Sequence, residues 1–205
     1  MQLYVTLTSP YARIVRALII EKGLEARVEV VPVRTRTPDT PLLAINPSGR
    51  VPTLVNDEGV MFEDSPLICD YLDALDGRPV LTPPTGWAER ILEARARSML
   101  DGVSVWIREL NRPEDERSPT VIAHETARAA RLIAVFDEFA ARGALDGPLS
   151  MLQLVVGCTL HGTGPVRPPG EAWRGVSPRL AAWVDAFGAR PSMQQTVPPE
   201  VHTHH

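Results

Sequence analysis

The hydrophobic period of this chain changes near residue 77, and that change limits the fold more than any other feature. In the first part, Leu3, Val5 and Leu7 alternate with polar residues, which is the period of a strand. A helical period follows, with Ile14 and Leu18 four residues apart on one face. Three more strand-like and two more helical segments follow in this order: strand Val28–Val31, at most a short helix within Arg34–Ala44, strands Thr53–Val55 and Val60–Phe62, and a helix from Ser65 that stops at Gly77. The order β-α-β-α-β-β-α predicts a four-stranded mixed sheet with helices on both faces.

The second part of the chain carries only helical patterns. A linker rich in proline and glycine precedes a long helix that starts near Trp87. The segment Met151–Leu160 is apolar on every side, which is typical of a helix buried inside a bundle. Ser150 and Gln153 at its start match a capping box. The predicted organisation has three parts: a sheet domain at 1–77, a linker at 78–86 and an all-helical domain at 87–205.

Composition argues against several classes of function. The net charge of −4 favours neither a nucleic acid nor an anionic membrane as a partner. No apolar run is long enough to span a bilayer, and strand-like residues begin at Leu3 where a signal peptide would lie, so we expect a soluble cytoplasmic protein. Cys69 and Cys158 show neither metal nor redox spacing and lie in apolar helical runs, so we expect buried free thiols. The histidines within 202–205 are too few for a firm metal site, and we predict no metal.

Two turns indicate the chemistry of a ligand. Pro52 precedes a β-favouring run, and proline has no N–H to serve an interior ladder position. If the Val51–Pro52 bond is cis, the turn presents the Val51 backbone amide and carbonyl outward, as a docking edge for a peptide-like ligand. Further along, Ser65 is expected to be a helix N-cap with Pro66 at the first helical position, and the free N–H groups of that turn suit a carboxylate. The two turns together predict a small, anionic, peptide-like ligand.

Four motifs, in this order and spacing, resemble the cytosolic glutathione S-transferases: Ser9–Arg16, Asn46–Leu54, Asp64–Ile68 and the capping box at Ser150. The resemblance covers essentially the whole chain, and it implies a thioredoxin-like α/β domain followed by an all-α helical bundle. The stretch Asp101–Pro113 is similar to the bacterial, serine-type (YibF-like) branch of that superfamily. By the same resemblance, glutathione is a co-substrate, a small hydrophobic electrophile is the second substrate, no other cofactor is needed, and the protein is a homodimer.

The resemblance also assigns roles to individual residues. Val51 would pair its backbone with the cysteinyl part of glutathione, and Pro52 would be the structural cis-proline. Asp64 and Ser65 would hold the γ-glutamyl ammonium and carboxylate. Arg50 stands where the family often has lysine and would meet the glycyl carboxylate through a bidentate fork. Two plainer alternatives stay open: Arg50 is a solvated surface charge, and Asp64 and Ser65 simply cap a helix.

Ser9 is the candidate for activating the glutathione sulfur. It precedes Pro10 at the turn from the first strand to the first helix, where serine-type relatives use a hydroxyl to hold the thiolate. A hydroxyl at the positive end of a helix can stabilise a thiolate through one charge-assisted hydrogen bond and the helix dipole. Two alternatives stay open for Ser9: it only caps the helix, or Thr8 is the donor instead. Arg13 either adds positive potential over the thiolate or is a structural or interface charge.

The first helix also indicates which reaction is disfavoured. Redox relatives carry a cysteine at this turn, whereas the four residues here are Ser9, Pro10, Tyr11 and Ala12. No protein thiol is available there for a mixed disulfide, so a thiol transferase is disfavoured. The predicted function is conjugation of the glutathione thiolate to a small electrophile in detoxification, with peroxidase activity as a side reaction. The alternative is a catalytically weak glutathione-binding or dimerisation protein of the same fold.

Overall fold

The computed structural model describes residues 1–82, 86–162 and 168–199. Part of the predicted linker and the histidine-containing end of the chain fall outside these ranges. The chain forms two compact units. The first is Met1–Pro83 together with the chain from Pro191, and the second is Pro84–Arg190.

The first unit is built on a four-stranded mixed sheet. Its leading elements are β1 (Gln2–Val5), α1 (Pro10–Glu21), β2 (Glu29–Pro32), α2 (Leu42–Ile45), β3 (Thr53–Val55), β4 (Met61–Glu63) and α3 (Ser65–Ala74). The strands lie in the order β2-β1-β3-β4. Strand β1 pairs in parallel with β2 and antiparallel with β3, which in turn pairs antiparallel with β4. The predicted order of strands and helices and the mixed sheet are therefore confirmed.

The core of this unit follows the periods of its sequence. Leu3 and Val5 are fully buried on β1, and Ile14 and Leu18 are fully buried on α1. Burying one such side chain stabilises a fold by roughly 1.5–3 kcal/mol. The alternation in β1 and the four-residue spacing in α1 thus put their apolar side chains into one core.

A short helix near the end of the chain, α9 (Pro191–Gln195), belongs to the first unit. The connection is made by Arg13 of α1, which is 1% exposed. Its guanidinium donates hydrogen bonds to the Met193 carbonyl at 3.2 Å and to the Thr196 hydroxyl at 3.4 Å. Arg13 is therefore a structural cation. The predicted helical domain, 87–205, differs from the observed grouping at this end because a buried arginine fastens α9 to α1.

The beginning of the predicted linker is also held by the first unit. Asp73 on α3 is fully buried and accepts hydrogen bonds from the backbone N–H groups of Leu81 (2.9 Å) and Thr82 (2.7 Å). Lys22 at the end of α1 pairs with the same carboxylate at 3.0 Å. Burial opposes the ionisation of Asp73, but the hydrogen bonds from Thr82, Lys22 and Leu81 outweigh it and hold the pKa of Asp73 below its ordinary value.

The described part of the second unit contains helices and no strand. Its elements are α4 (Trp87–Leu110), a 3-10 turn (Glu114–Glu116), α5 (Pro119–Ala141), α6 (Met151–Leu160), α7 (Trp173–Val176) and α8 (Pro178–Gly188). Helix α6 is buried along almost its whole length, as its apolar sequence predicts. Its predicted capping box is confirmed: the Ser150 N–H donates to Gln153 Oε1 at 2.8 Å, and the Gln153 N–H donates to Ser150 Oγ at 3.5 Å.

Among the described residues, no helix is both long enough and apolar enough to cross a bilayer. Cys69 and Cys158 are both buried and take part in no disulfide, as their apolar surroundings predict.

Candidate functional site

The register of the sheet brings three predicted site segments to one end of the first unit. Thr53, the first residue of β3, lies opposite Tyr4 near the end of β1 and opposite Glu63 at the end of β4. The segment before β3, the turn after β1 and the start of α3 therefore all leave the sheet at the same end. The polar groups of these three segments make up the candidate site.

Ser9 caps α1 at this end. Its Oγ accepts a hydrogen bond from the Ala12 N–H at 3.2 Å, and its own N–H donates to the Thr6 carbonyl at 3.0 Å. The side chain is half-buried. In the described part of the chain, no group accepts the hydroxyl proton of Ser9. The oxygen is thus held in place at the positive end of a helix while its proton remains available to a ligand.

The start of α3 differs from the prediction by one residue. The N-cap is Asp64, and Ser65 is the first helical residue rather than the cap. Asp64 has φ 75°, a left-handed conformation that is uncommon for a residue other than glycine. Such a conformation costs of the order of 1–3 kcal/mol and is found most often at ligand-binding sites.

Neither polar side chain at this helix start caps the helix. Asp64 makes no side-chain capping bond. Ser65 is 2% exposed, and its Oγ has no hydrogen-bond partner. A buried hydroxyl without a partner carries a desolvation penalty of about 1–3 kcal/mol. Asp64 thus occupies the N-cap position, but neither side chain makes a capping bond, and the buried oxygen of Ser65 calls for another explanation.

The segment before β3 presents free backbone groups. The Val51–Pro52 peptide bond is cis. Val51 is half-buried, and its backbone N–H and C=O have no hydrogen-bond partner among the described residues. Arg50 is exposed and forms no ion pair within the same ranges. A backbone edge and a cation are thus both accessible on this segment.

Glu63 lies beside the candidate site, and the sequence analysis did not assign it a role. Its Oε2 accepts hydrogen bonds from Ser48 Oγ at 2.6 Å and from Asn46 Nδ2 at 3.0 Å. The hydrogen bond from Ser48, followed by the one from Asn46, holds the pKa of Glu63 below its ordinary value, and the positive charge of Arg50 adds to this effect. The only sequence signal for Glu63 was that β4 ends in a polar residue. This signal becomes informative only when the pairing of β3 with β4 is known, because that pairing places Glu63 opposite Thr53.

Two cavities of about 340 and 260 Å³ occur in the second unit, and neither is lined by a predicted site residue. Among the described residues, no group of histidine, cysteine, aspartate and glutamate side chains is placed to hold a metal ion.

Comparison with known proteins gives the family of this chain. Residues 3–80 match the family model described as the glutathione S-transferase N-terminal domain. Over 96% of this chain and 93% of its own length, glutathione S-transferase 3 of Zea mays is 31% identical. The uncharacterized GST-like protein YibF of Escherichia coli (strain K12) is 27% identical over 98% of this chain and 100% of its own length.

A solved structure supplies a bound ligand for comparison. A glutathione transferase family member from Pseudomonas fluorescens Pf-5 is 32% identical, covers 98% of this chain and 100% of its own, and superposes with a TM-score of 0.82. That structure contains S-(propanoic acid)-glutathione. The agreement in fold extends over both parts of the chain, so the predicted thioredoxin-like domain with an all-helical partner is confirmed.

Proposed function

The chain belongs to the glutathione S-transferase family, and we propose that it binds glutathione and conjugates the thiolate of that tripeptide to a small hydrophobic electrophile. The fold alone does not carry this conclusion, because one fold hosts many functions. The support comes from polar groups at one end of the sheet that have no partner within the described chain and that match the groups of the tripeptide.

The unpartnered hydroxyl of Ser65 is the observation that carries the proposal. It lies 2% exposed in the first turn of α3, a ten-residue helix whose N-cap makes no side-chain bond. A carboxylate bound there would accept from the hydroxyl and from the free N–H groups of the turn, and the helix dipole would favour its charge. The adjacent Asp64 would pair with an ammonium group. An ammonium and a carboxylate on one carbon are the γ-glutamyl end of glutathione.

The other two parts of the tripeptide find partners on the segment before β3. The open N–H and C=O of Val51 suit the two backbone groups of the cysteinyl residue, as in the addition of a strand. Arg50 would bind the glycyl carboxylate through its guanidinium fork. With Pro52 shaping the turn and Val51 between the two charged ends, an extended tripeptide would contact all of these residues at once.

Ser9 would stabilise the thiolate. A free thiol with a pKa of about 8.5 is only a few per cent ionised at neutral pH, and lowering that pKa by about two units requires roughly 2.7 kcal/mol. A charge-assisted hydrogen bond contributes about 1.5–3 kcal/mol, and the dipole of α1 adds a few tenths. We assign this role to Ser9 rather than to Thr8, because the bond from the Ala12 N–H holds the Ser9 oxygen at the helix end.

The proposed reaction is a nucleophilic attack. The sulfur forms a bond to the electrophilic carbon, and the leaving group departs with its electron pair; in an addition, solvent protonates the neighbouring carbon instead. We propose peroxide reduction as a side activity, in which two glutathione thiols are oxidised to one disulfide and the peroxide is reduced to an alcohol and water. We propose that the protein acts in the cytoplasm as a homodimer and serves in detoxification.

The test is turnover of chlorodinitrobenzene at millimolar glutathione. We expect a saturable rate with the unsubstituted protein and a strongly reduced rate with Ser9→Ala. A protein that binds glutathione but conjugates no faster than the solution reaction would be a binding or dimerisation module, and the transferase proposal would be wrong.

A further inference from the structure

We propose that Glu63 is a positioning residue for glutathione, because its carboxylate fixes the peptide units on both sides of Arg50 through two hydrogen-bonded relays. The inference rests on the proposed function, in which the Val51 backbone pairs with the cysteinyl part of the tripeptide. Glu63 itself does not have to touch the ligand.

The first relay runs through Ser48. The Ser48 hydroxyl donates its single proton to Glu63 Oε2 at 2.6 Å. Its oxygen therefore remains an acceptor, and it receives the Arg50 N–H at 3.3 Å. The carboxylate thus determines which way the Ser48 hydroxyl points, and the hydroxyl holds the amide side of Arg50.

The second relay runs through Asn46 and Thr53. Asn46 Nδ2 has two protons and donates them to Glu63 Oε2 at 3.0 Å and to Thr53 Oγ1 at 2.9 Å. Its Oδ1 accepts the Ser48 N–H at 2.9 Å, which fixes the orientation of the amide. The Thr53 oxygen accepts this hydrogen bond from Asn46, and the Thr53 hydroxyl in turn donates a hydrogen bond to the Arg50 carbonyl at 2.8 Å.

Both relays end on the backbone of Arg50, one at its N–H and the other at its C=O. The Arg50 carbonyl and the Val51 N–H belong to one planar peptide unit, so anchoring the oxygen also sets the direction of the N–H. Without the anchor this unit would sample other orientations, and only a fraction of molecules would present Val51 correctly. The apparent dissociation constant rises in inverse proportion to that fraction.

Positioning and simple electrostatics predict opposite effects of removing Glu63. Glutathione is anionic, and Glu63 is a carboxylate at the same end of the sheet. If only charge mattered, removing Glu63 would strengthen glutathione binding. If Glu63 positions the loop, removing it weakens binding. The sign of the change therefore separates the two explanations.

The experiment measures glutathione affinity by calorimetry for Glu63→Ala, Glu63→Gln and a matched control, Glu58→Ala. We expect Glu63→Ala to raise the dissociation constant about tenfold, which corresponds to a variant in which about a tenth of the molecules present the Val51 backbone in the binding orientation. Glu63→Gln should raise it only about threefold, because an amide oxygen in the place of Oε2 still accepts both hydrogen bonds without charge assistance. Glu58, an exposed carboxylate in the turn of the same hairpin, should be replaceable without effect.

A second pair of variants tests the relay itself. Thr53→Val keeps the shape of a fully buried side chain and removes its hydroxyl, whereas Thr53→Ser keeps the hydroxyl. We expect Thr53→Val to weaken binding and Thr53→Ser to restore most of it. The losses of glutathione affinity caused by Thr53→Val and Glu63→Ala should also be less than additive, because both substitutions interrupt the same relay. These variants test the proposal even if Glu63→Ala does not fold.

The turnover rate at saturating glutathione and the pKa of the bound thiol should be unchanged in all of these variants. Glu63→Ala with unchanged or tighter binding would overturn the proposal. So would parallel losses in turnover rate and in thiolate stabilisation, which would indicate general damage to the unit. If the unsubstituted protein bound no glutathione, the proposed function would fail and this inference with it, which is a different result from unaltered binding by the variant.

Discussion

At the scale of single residues, Ser65 is where stability and binding should oppose each other. Its buried Oγ has no partner, so the unliganded protein gains nothing from it. We predict that Ser65→Ala leaves the free energy of unfolding unchanged or raises it by up to about 1 kcal/mol. The same substitution should weaken glutathione binding about tenfold, because it removes a hydrogen bond to a carboxylate. Urea denaturation and calorimetric titration check the two halves of the prediction.

Ser104 on α4 supplies the matched control. Its Oγ is also buried without a partner, but it belongs to the second unit. Ser104→Ala should therefore leave glutathione affinity unchanged while it affects stability to a similar degree. Equal losses of affinity in the two variants would contradict a specific role for Ser65.

Ser9 gives the second prediction. Ser9→Ala should raise the pKa of the bound thiol by about two units, towards the value of a free thiol, and lower the conjugation rate roughly thirtyfold at neutral pH. It should also lower the free energy of unfolding by about 1 kcal/mol through loss of the N-cap. Ultraviolet absorption of the thiolate against pH measures the first effect. Ser9→Thr should retain most of the activity, and Thr8→Val is the control for the alternative donor. A low thiol pKa in Ser9→Ala together with a raised one in Thr8→Val would assign the role to Thr8.

At the scale of elements, the sequence predicted the sheet because strands and helices differ in hydrophobic period. It placed the N-cap of α3 at Ser65 because serine before proline is a common helix start, whereas the chain turns through a left-handed Asp64 one residue earlier. Helix α9 was missed because five residues are too short to show a period. The part played by Glu63 was missed because it depends on contacts with Asn46 and Ser48, which no local pattern contains.

The pair of Lys22 and Asp73 gives a pH prediction for the first unit. Burial raises the pKa of Asp73, but its hydrogen bonds lower the pKa overall. Burial lowers the pKa of Lys22, but its bonds with Asp73 and Asp76 raise the pKa overall. The contribution of Asp73 is present above its unfolded pKa of about 3.9 and is lost as pH falls through the folded value. That of Lys22 is present below about 10.4 and is lost as pH rises through its folded value. Stability should therefore be highest between these limits, as measured by thermal unfolding across pH.

Asp73→Asn should lower the free energy of unfolding by about 2 kcal/mol at neutral pH, because it removes the nearer of the two carboxylates that pair with Lys22 and weakens the hydrogen bonds from the Leu81 and Thr82 N–H groups. The difference from the unsubstituted protein should shrink in strong acid, where Asp73 is protonated in both states. Asp39→Asn, at an exposed position, is the control. If the stability of Asp73→Asn fell with decreasing pH in the same way as that of the unsubstituted protein, this carboxylate would not control stability in acid.

At the scale of the whole molecule, Arg13 attaches the segment from Pro191 to the first unit. The buried guanidinium holds α9 by hydrogen bonds to Met193 and Thr196. We predict that Arg13→Met lowers the free energy of unfolding by about 2–4 kcal/mol and exposes the amides of 191–196 to hydrogen exchange. Arg16→Met, which removes an exposed bond to the Gln195 carbonyl, should cost less than about 1 kcal/mol. Equal effects of the two variants would contradict the structural role of the buried arginine.

The central claim is that the polar end of the first unit binds glutathione. The most direct measurement is a calorimetric titration of the protein with reduced glutathione, alongside Asp64→Ala and Ser65→Ala. We predict one site per chain with a dissociation constant in the millimolar range or below, weakened by both substitutions, with Ser65→Ala as stable as the unsubstituted protein. No binding at several millimolar glutathione, or binding that neither substitution changes, would contradict the claim.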